Sequence, residues 1–326
     1  MDYKFTEDQE MIREAAKDFL EQECPKEKVR HLRDDEKAYD PEMWKKMIEL
    51  GWMGVVLPEE YGGIGGEFLD LLVILEEMGR NILPSPFFQT VVLCSMPILK
   101  FGSDDQKNEY LTKIATEGQI WTLAINETDA DYLASDVKLA ASATGDEYTL
   151  NGKKLFVPYA KSAEMMLVIA RTAEKSNPEE GVTAFIVDAK SPGISFEAMP
   201  VTARDARCEV TFKDVKVPKG NVLGSPDKGW DIVEYILTYA PVLKAAEMAG
   251  GVQSVLNITT KYASERIQFG KPIGSYQAVQ HRLVDLLTQA EGLRYLTYEA
   301  ASAINAGNPS KLLTSLAKLK ANNVYQ

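Results

Sequence analysis

The chain changes its hydrophobic period twice. In the first part apolar residues recur every three to four positions: Ile12, Ala15, Ala16, Phe19 and Leu20 share one helical face, and Met43, Trp44, Met47 and Leu50 share another. Thr6-Glu7-Asp8-Gln9 has the form of a capping box, and Asp40-Pro41 supplies an N-cap with proline at N1 before a helix that Gly51 ends. Residues 67–82 and 89–101 read as further helices, and Ser103-Asp104-Asp105-Gln106 caps another. The glycines of Leu57 to Gly66 do not fit G-x-G-x-x-G and follow no clear strand, so they read as tight turns rather than a phosphate cradle.

At Trp121 the period drops toward two. Trp121 to Ile125 is strand-like, Val137 to Ala143 alternates, and Tyr148-Thr149-Leu150 is predicted to fold back on Lys154-Leu155-Phe156-Val157 through a type I′ turn at Asn151-Gly152. Met165 to Ala170, Val182 to Val187, Ile194 to Met199 and Cys208 to Val217 add short strands, with Ser191-Pro192-Gly193 as a turn. From Trp230 the helical period returns over about 228–265 and 275–305, and Asn305 to Asn308 breaks the pattern before a third run. The predicted fold class is α+β: an N-terminal α-helical domain (1–120), a central antiparallel β domain (121–224) and a C-terminal helical bundle (225–326). The last helices are long for a globular domain, which suggests packing against other subunits.

Composition narrows the function. With 326 residues, 45% hydrophobic and 26% charged, the chain reads as an ordinary globular protein with a large core. The net charge of −12, with no basic stripe to offset it, argues against nucleic acid or an anionic membrane as the main partner. Cys24, Cys94 and Cys208 are too scattered for a disulfide framework, and with His31 and His281 alone no cluster has metal-ligand spacing, so a metal-free mechanism is expected. No run of 18 uncharged apolar residues is present, and a cytoplasmic protein without a membrane span is expected.

The candidate chemistry lies in Arg266 to Gln277. Arg266 at a helix end offers a planar fork that pairs with a phosphate through two hydrogen bonds. Phe269-Gly270 breaks that helix and offers an aromatic face, and Gln277 opens the next helix with an amide able to read a ring edge. Those parts suit a dinucleotide; the competing reading is a surface arginine and a core-filling phenylalanine.

Three segments, in this order, resemble the acyl-CoA dehydrogenase family: Leu57-Pro58-Glu59-Glu60-Tyr61-Gly62-Gly63, Phe212 to Gly224, and Arg266 to Gln277. The resemblance covers essentially the whole chain. It implies a flavoenzyme that holds FAD between the β domain and the C-terminal bundle, oxidises the Cα–Cβ bond of an acyl-CoA thioester and passes electrons to an electron-transfer flavoprotein. It also implies a homo-oligomer, dimer or tetramer, in which Arg266, Phe269 and Gln277 reach a neighbouring subunit's FAD. Phe156 matches the aromatic against the flavin, with an ordinary core aromatic as the alternative; Ile125 and Asn126 fall on the strand lining the ring; Ser135, followed by Asp136, matches a serine that contacts the acyl-CoA.

The departures bear on catalysis. Asn126-Glu127-Thr128 stands where the family has Thr-Glu-Pro, with three more residues before Ser135. Pro158 replaces a flavin-bonding Thr, and Pro241, which should kink its helix, replaces a common Arg beside Ala240, where some members carry the catalytic Glu. The family's other position for the base lies in a C-terminal segment beyond residue 326, so the bundle is read as incomplete and the catalytic residue is left unknown. Glu127, Glu234 and Glu247 read as surface or turn charges. The alternative function is a non-catalytic or half-catalytic subunit of a hetero-oligomer, and a helical interaction protein on the same scaffold is the third reading.

Overall fold

The computed structural model describes residues 5–33, 35–128, 133–203 and 205–326. It divides into two compact units: Met1–Val29, Gly66–Leu83 and Thr238–Gln326 form one, and Arg30–Gly65 and Pro84–Leu237 the other.

The first unit is helical. It contains α1 (Glu7–Glu23), α4 (Phe68–Asn81), most of α7 (Gly229–Glu265), α8 (Gln277–Asn305) and α9 (Lys311–Tyr325). The capping box at the head of α1 forms as expected, with reciprocal bonds of 3.1 and 3.2 Å between Thr6 and Gln9. α4 and α7 approach until backbone meets backbone: a Cβ on Gly79 would lie 1.7 Å from the Glu247 carbonyl oxygen, and one on Gly250 1.8 Å from that of Glu76. Only glycine permits that spacing. α7 continues as a helix through Pro241, whose ring lacks the N–H that the Leu237 carbonyl would otherwise receive. A buried knot joins α1, α4 and α8, in which Tyr298 donates to Glu76 at 2.5 Å while Arg13 and Arg80 stand 3.9 and 3.8 Å from the same carboxylate.

The second unit is a sheet with helical cover. α2 (Lys26–Arg33) enters it, followed by α3 (Pro41–Glu49), capped by Asp40 as expected, and α5 (Met96–Phe101). The stretches Phe88–Ser95, Lys107–Leu111 and Lys113–Glu117 are π-helical rather than α-helical, and α6 (Asp104–Gln106) is a single turn capped by Ser103. Among the described residues eight strands form the sheet: β1 (Trp121–Ala124), β2 (Ala140–Thr144), β3 (Glu147–Pro158), β4 (Met165–Arg171), β5 (Val182–Asp188), β6 (Ile194–Ala198), β7 (Arg207–Pro218) and β8 (Val222–Leu223). Their order is β6-β7-β3-β2-β4-β5-β8, with β1 also on β4. β4 and β5 are buried almost throughout, and Leu150, Phe185, Val210 and Phe212 belong to the core.

Two expectations need correction. The sheet is not wholly antiparallel: β1 runs parallel to β4 from Trp121↔Met165 to Ala124↔Val168, and Ala140 of β2 pairs parallel to Arg171 further along β4. A parallel pair needs a long connection, and the intervening β2–β3 hairpin supplies it. Nor does Asn151-Gly152 make a hairpin. The β2–β3 turn is Gly145-Asp146, with Gly145 at φ 59° in the first central position, as type II′ requires. Asn151 instead lies inside one continuous β3, where its amide brackets a bulge on β7: it donates to Asp214 at 3.1 Å and accepts the Asp214 N–H at 2.9 Å, Asp214 having φ 53°. Two cross-strand bonds outweigh the local turn preference of Asn-Gly.

Candidate functional site

The sheet opens at one place. β1 ends on Val168 and β2 begins on Arg171 of the same β4 edge, so residues 125–139 leave the sheet and return three residues further along β4. That excursion carries Ile125, Asn126, Glu127 and Ser135; Asp129 to Tyr132, which include the longer spacing seen in the sequence, lie outside the described residues.

The neck of the excursion is tied by charges buried in the sheet. Lys154 has the inward parity of Tyr148 and Leu150 on β3, and its side chain is 0% exposed. Its Nζ donates to the Ile125 carbonyl at 2.9 Å and to Glu127 Oε1 at 2.6 Å. The same carboxylate, 10% exposed, accepts the backbone N–H of Lys138 at 3.1 Å and of Leu139 at 3.0 Å. Burial pushes the Lys154 ammonium down to about 8 against the opposing pull of Glu127. Arg171, also buried, holds the returning limb: it donates to the carbonyls of Val137 (3.1 Å), Pro178 (2.8 Å), Glu180 (3.1 Å) and Ala134. Ser135 is exposed on the 3₁₀ turn that this guanidinium supports, and it donates to Asp136 at 3.4 Å.

Phe156 is the aromatic of this region. Even parity on β3 would turn it into the core beside Leu150, but a bulge intervenes: Lys154 pairs with Val210 and Val157 with Cys208, three residues against two. Phe156 takes φ 54°, a left-handed conformation costly for a bulky side chain, and stands 37% exposed while Val157 faces in. The core-aromatic alternative is thereby removed. Its N–H donates to Met199 Sδ at 3.4 Å, and Met199 lines a cavity of about 420 Å³ with Tyr159, Lys161, Arg207 and Cys208. Pro158 is fixed by its carbonyl, which accepts from Thr122 at 2.6 Å. Ile125 and Asn126 stand just past the end of β1 rather than on it, and the Asn126 carbonyl accepts the Leu155 N–H at 2.8 Å.

In the helical unit, Arg266, Phe269 and Gln277 sit on a separate arm. α7 stops at Glu265, a small hairpin of β9 (Ile267–Gln268) and β10 (Lys271–Pro272) turns the chain, and α8 begins at Gln277. Phe269, at φ 52° beside Gly270 at φ 81°, is 92% exposed, so it does not fill the core. The Arg266 and Gln277 side chains are exposed and bond to no described residue. Tyr276 braces the arm by donating to the Gln268 carbonyl at 3.1 Å and carrying the Lys271 ammonium 4.3 Å over its ring.

Sequence reasoning missed Lys154, Arg171 and Met199. A lysine at the inward parity of an otherwise apolar strand was the signal for Lys154. Nothing local singles out Arg171, because two of its four carbonyl acceptors, those of Ala134 and Val137, come from a segment more than thirty residues earlier in the chain. Of the carboxylates weighed as bases, Glu127 is consumed by the neck, Glu247 pairs with Lys244, and Glu234 is engaged as well.

Among the described residues no helix is long and apolar enough to cross a membrane, and no group of three His, Cys, Asp or Glu could hold a metal ion. Three family descriptions match in succession: "Acyl-CoA dehydrogenase, N-terminal domain" over residues 6–118, "middle domain" over 122–215 and "C-terminal domain" over 227–326. The chain is 32% identical to a probable acyl-CoA dehydrogenase of Bacillus subtilis, covering 99% of this chain and 86% of that protein. It is 32% identical to acryloyl-CoA reductase (NADH) of Anaerotignum propionicum, over 98% and 82%. A chain in the structure described as electron transferring flavoprotein of Acidaminococcus fermentans superposes with a TM-score of 0.92 at 34% identity, over 99% and 86%. A split sheet flanked by helical segments, matched piece by piece along nearly its whole length, makes this chain an enzyme of the acyl-CoA dehydrogenase family.

Proposed function

We propose that the protein binds FAD and oxidises the Cα–Cβ bond of an acyl-CoA thioester to the 2-enoyl-CoA, its electrons passing to an electron-transfer flavoprotein. The observation that carries this reading is Phe156, turned out of the sheet core by a bulge beside the tied neck at Ile125–Asn126. An aromatic held in a strained, exposed conformation suits a planar ring stacked on it. The residues present therefore fit a flavin. Ile125, Asn126 and Phe156 would hold the ring; Arg266 and Gln277, whose side chains bond to no described residue, and the exposed Phe269, edge-on to Tyr276, would hold the dinucleotide of a neighbouring subunit. Bound FAD would supply the two-electron acceptor. The chain's own part is to orient the thioester, with Ser135 contacting the acyl-CoA, and to keep the site dry while the Cα proton leaves.

Oligomerisation is part of the proposal, because Val255, Ile258 and Tyr262 on α7 and Val284, Leu286 and Leu287 on α8 are all exposed. Large apolar side chains clustered on helix faces mark interfaces. The likeness to the Acidaminococcus fermentans structure supports the electron-transfer partner, and acryloyl-CoA reductase among the relatives supports a CoA thioester as substrate.

A second reading, a half-catalytic subunit of a heteromer, is favoured by one observation: Glu127, Glu234 and Glu247 are all engaged, and Ala240 and Pro241 replace useful groups. Heat release and chromatography of the cofactor test the shared part; a protein that fails to take up FAD overturns both readings. Stopped-flow bleaching with a panel of acyl-CoAs separates them. Rapid bleaching by this chain alone shows a base within it, and slow bleaching restored by a partner chain shows the heteromer.

A further inference from the structure

Lys154 places an ammonium where the sheet otherwise buries apolar side chains. It shares the inward face with Leu150 and Tyr148, and its side chain is wholly buried. Taking a cation out of water is unfavourable unless it is paired and fully hydrogen-bonded, and an apolar residue of similar length would pack there at least as well. Stability alone therefore does not account for it.

Its bonds show what it does hold. Nζ reaches the Ile125 carbonyl at 2.9 Å and Glu127 at 2.6 Å, and Glu127 in turn accepts the N–H groups of Lys138 and Leu139. One ion pair thus joins the end of β1, the approach to β2 and the middle of β3. It does so immediately before the bulge that turns Phe156 outward. The pair thereby ties the segment Ile125–Asn126 to β3 two residues before Phe156.

We infer that the Lys154–Glu127 ion pair is a positioning element for the flavin: it fixes Ile125–Asn126 against the Phe156 bulge and so aligns the bound ring for the Cα–Cβ bond. The inference rests on the FAD reading above. Glu127 is a positioning residue rather than the base, because its oxygens already serve Lys154 and two backbone amides.

The test is the double variant Glu127→Gln/Lys154→Met, which removes both charges and nearly preserves volume. Thermal unfolding, FAD dissociation, the flavin midpoint potential and single-turnover bleaching by butyryl-CoA and palmitoyl-CoA are measured beside the wild type. Replacing a buried ion pair by neutral groups of like size is often neutral for stability, so the variant should melt close to the wild type. FAD should nevertheless be held about tenfold more weakly, with a shifted potential and bleaching slowed about ten- to a hundredfold, the range for misplaced reactants. Glu127→Gln alone keeps the shape but leaves the buried Lys154 unpaired, so it should melt below the double variant; its FAD affinity, potential and bleaching rate decide the matter if the double variant does not fold. A folded variant with wild-type FAD affinity, potential and bleaching rate overturns the inference and leaves the pair a fold element only. A wild type that takes up no FAD overturns the cofactor reading itself, a result visible before any variant is made.

Discussion

The excursion from the sheet and the Arg266–Gln277 arm carry the two sets of candidate cofactor residues, and they are built in opposite ways. At the neck of the excursion the buried charges are already used. Lys154 and Glu127 bond to each other and to backbone groups of its two limbs, and Arg171 donates to carbonyls of the returning limb, so the described limbs are set before any ligand arrives. On the arm the reverse holds, with Arg266 and Gln277 bonded to no described residue and Phe269 almost fully in solvent. One region is preorganised; the other is solvated, and under the proposed function it is the part free to meet a neighbouring subunit's cofactor. The contrast teaches that internal satisfaction fixes the part that shapes a site before any ligand arrives.

Substitutions should separate the two behaviours. The largest effect is expected from Arg171→Met, which strips a buried donor from four carbonyls. The sheet unit should lose about 3–5 kcal/mol in denaturant unfolding, since each buried acceptor left alone costs about 1–3 kcal/mol before relaxation. A loss below about 1 kcal/mol would mean that the excursion is not held from beneath. Arg266→Ala should do the opposite. Unfolding stability should stay within about 0.5 kcal/mol, while FAD retention falls roughly ten- to a hundredfold, the worth of a charge-assisted hydrogen bond. A monomeric form that keeps FAD as tightly as the oligomer would break the assignment of the arm to a neighbour.

Phe156→Asn sharpens the comparison from within the preorganised region. Asparagine tolerates the left-handed conformation, so the fold should be as stable as the wild type or better by up to about 1 kcal/mol, with weaker flavin binding. Destabilisation beyond about 1 kcal/mol in the cofactor-free protein would show that Phe156 serves the stability of the bulge rather than a ligand. The smallest effect concerns pH. Lys154 titrates near 8 in the folded chain, below its ordinary 10.5, so between those values the unfolded chain retains a proton that the folded chain has released. Stability contributed by this group therefore rises with pH across that window. Denaturant unfolding at its two ends should show the wild type gaining on Glu127→Gln/Lys154→Met as pH increases.

What the sequence disclosed follows the same division. The arm was legible because helix stops and starts obey local rules: Gly270 and Gly274 break the period, and Gln277 opens α8 as the pattern required. The Thr6, Asp40 and Ser103 caps were legible for the same reason. The excursion was not, since its geometry is decided across strands. Asn151-Gly152 has the letters of a turn, yet its side chain pairs with Asp214 on β7, and Gly145-Asp146 turns the chain instead. Alternation would have buried Phe156, and one inserted residue reverses that. Lys154 and Arg171 take their meaning from the carbonyls of Ile125 and of Ala134 and Val137, about thirty residues earlier, that no spacing rule connects to them.

The return of the excursion to the edge it left has an evolutionary consequence. Its two ends are pinned at Val168 and Arg171 of β4, about 10 Å apart along the strand. Residues can be added or exchanged between those pins without altering any strand's register, and lengthening a loop costs only about 0.6 kcal/mol per doubling. Under the proposed function, in which Ser135 contacts the acyl-CoA, the fold thus offers a cassette that can vary while the sheet stays as it is, and grafting excursions of different length onto one scaffold tests whether it sets acyl specificity.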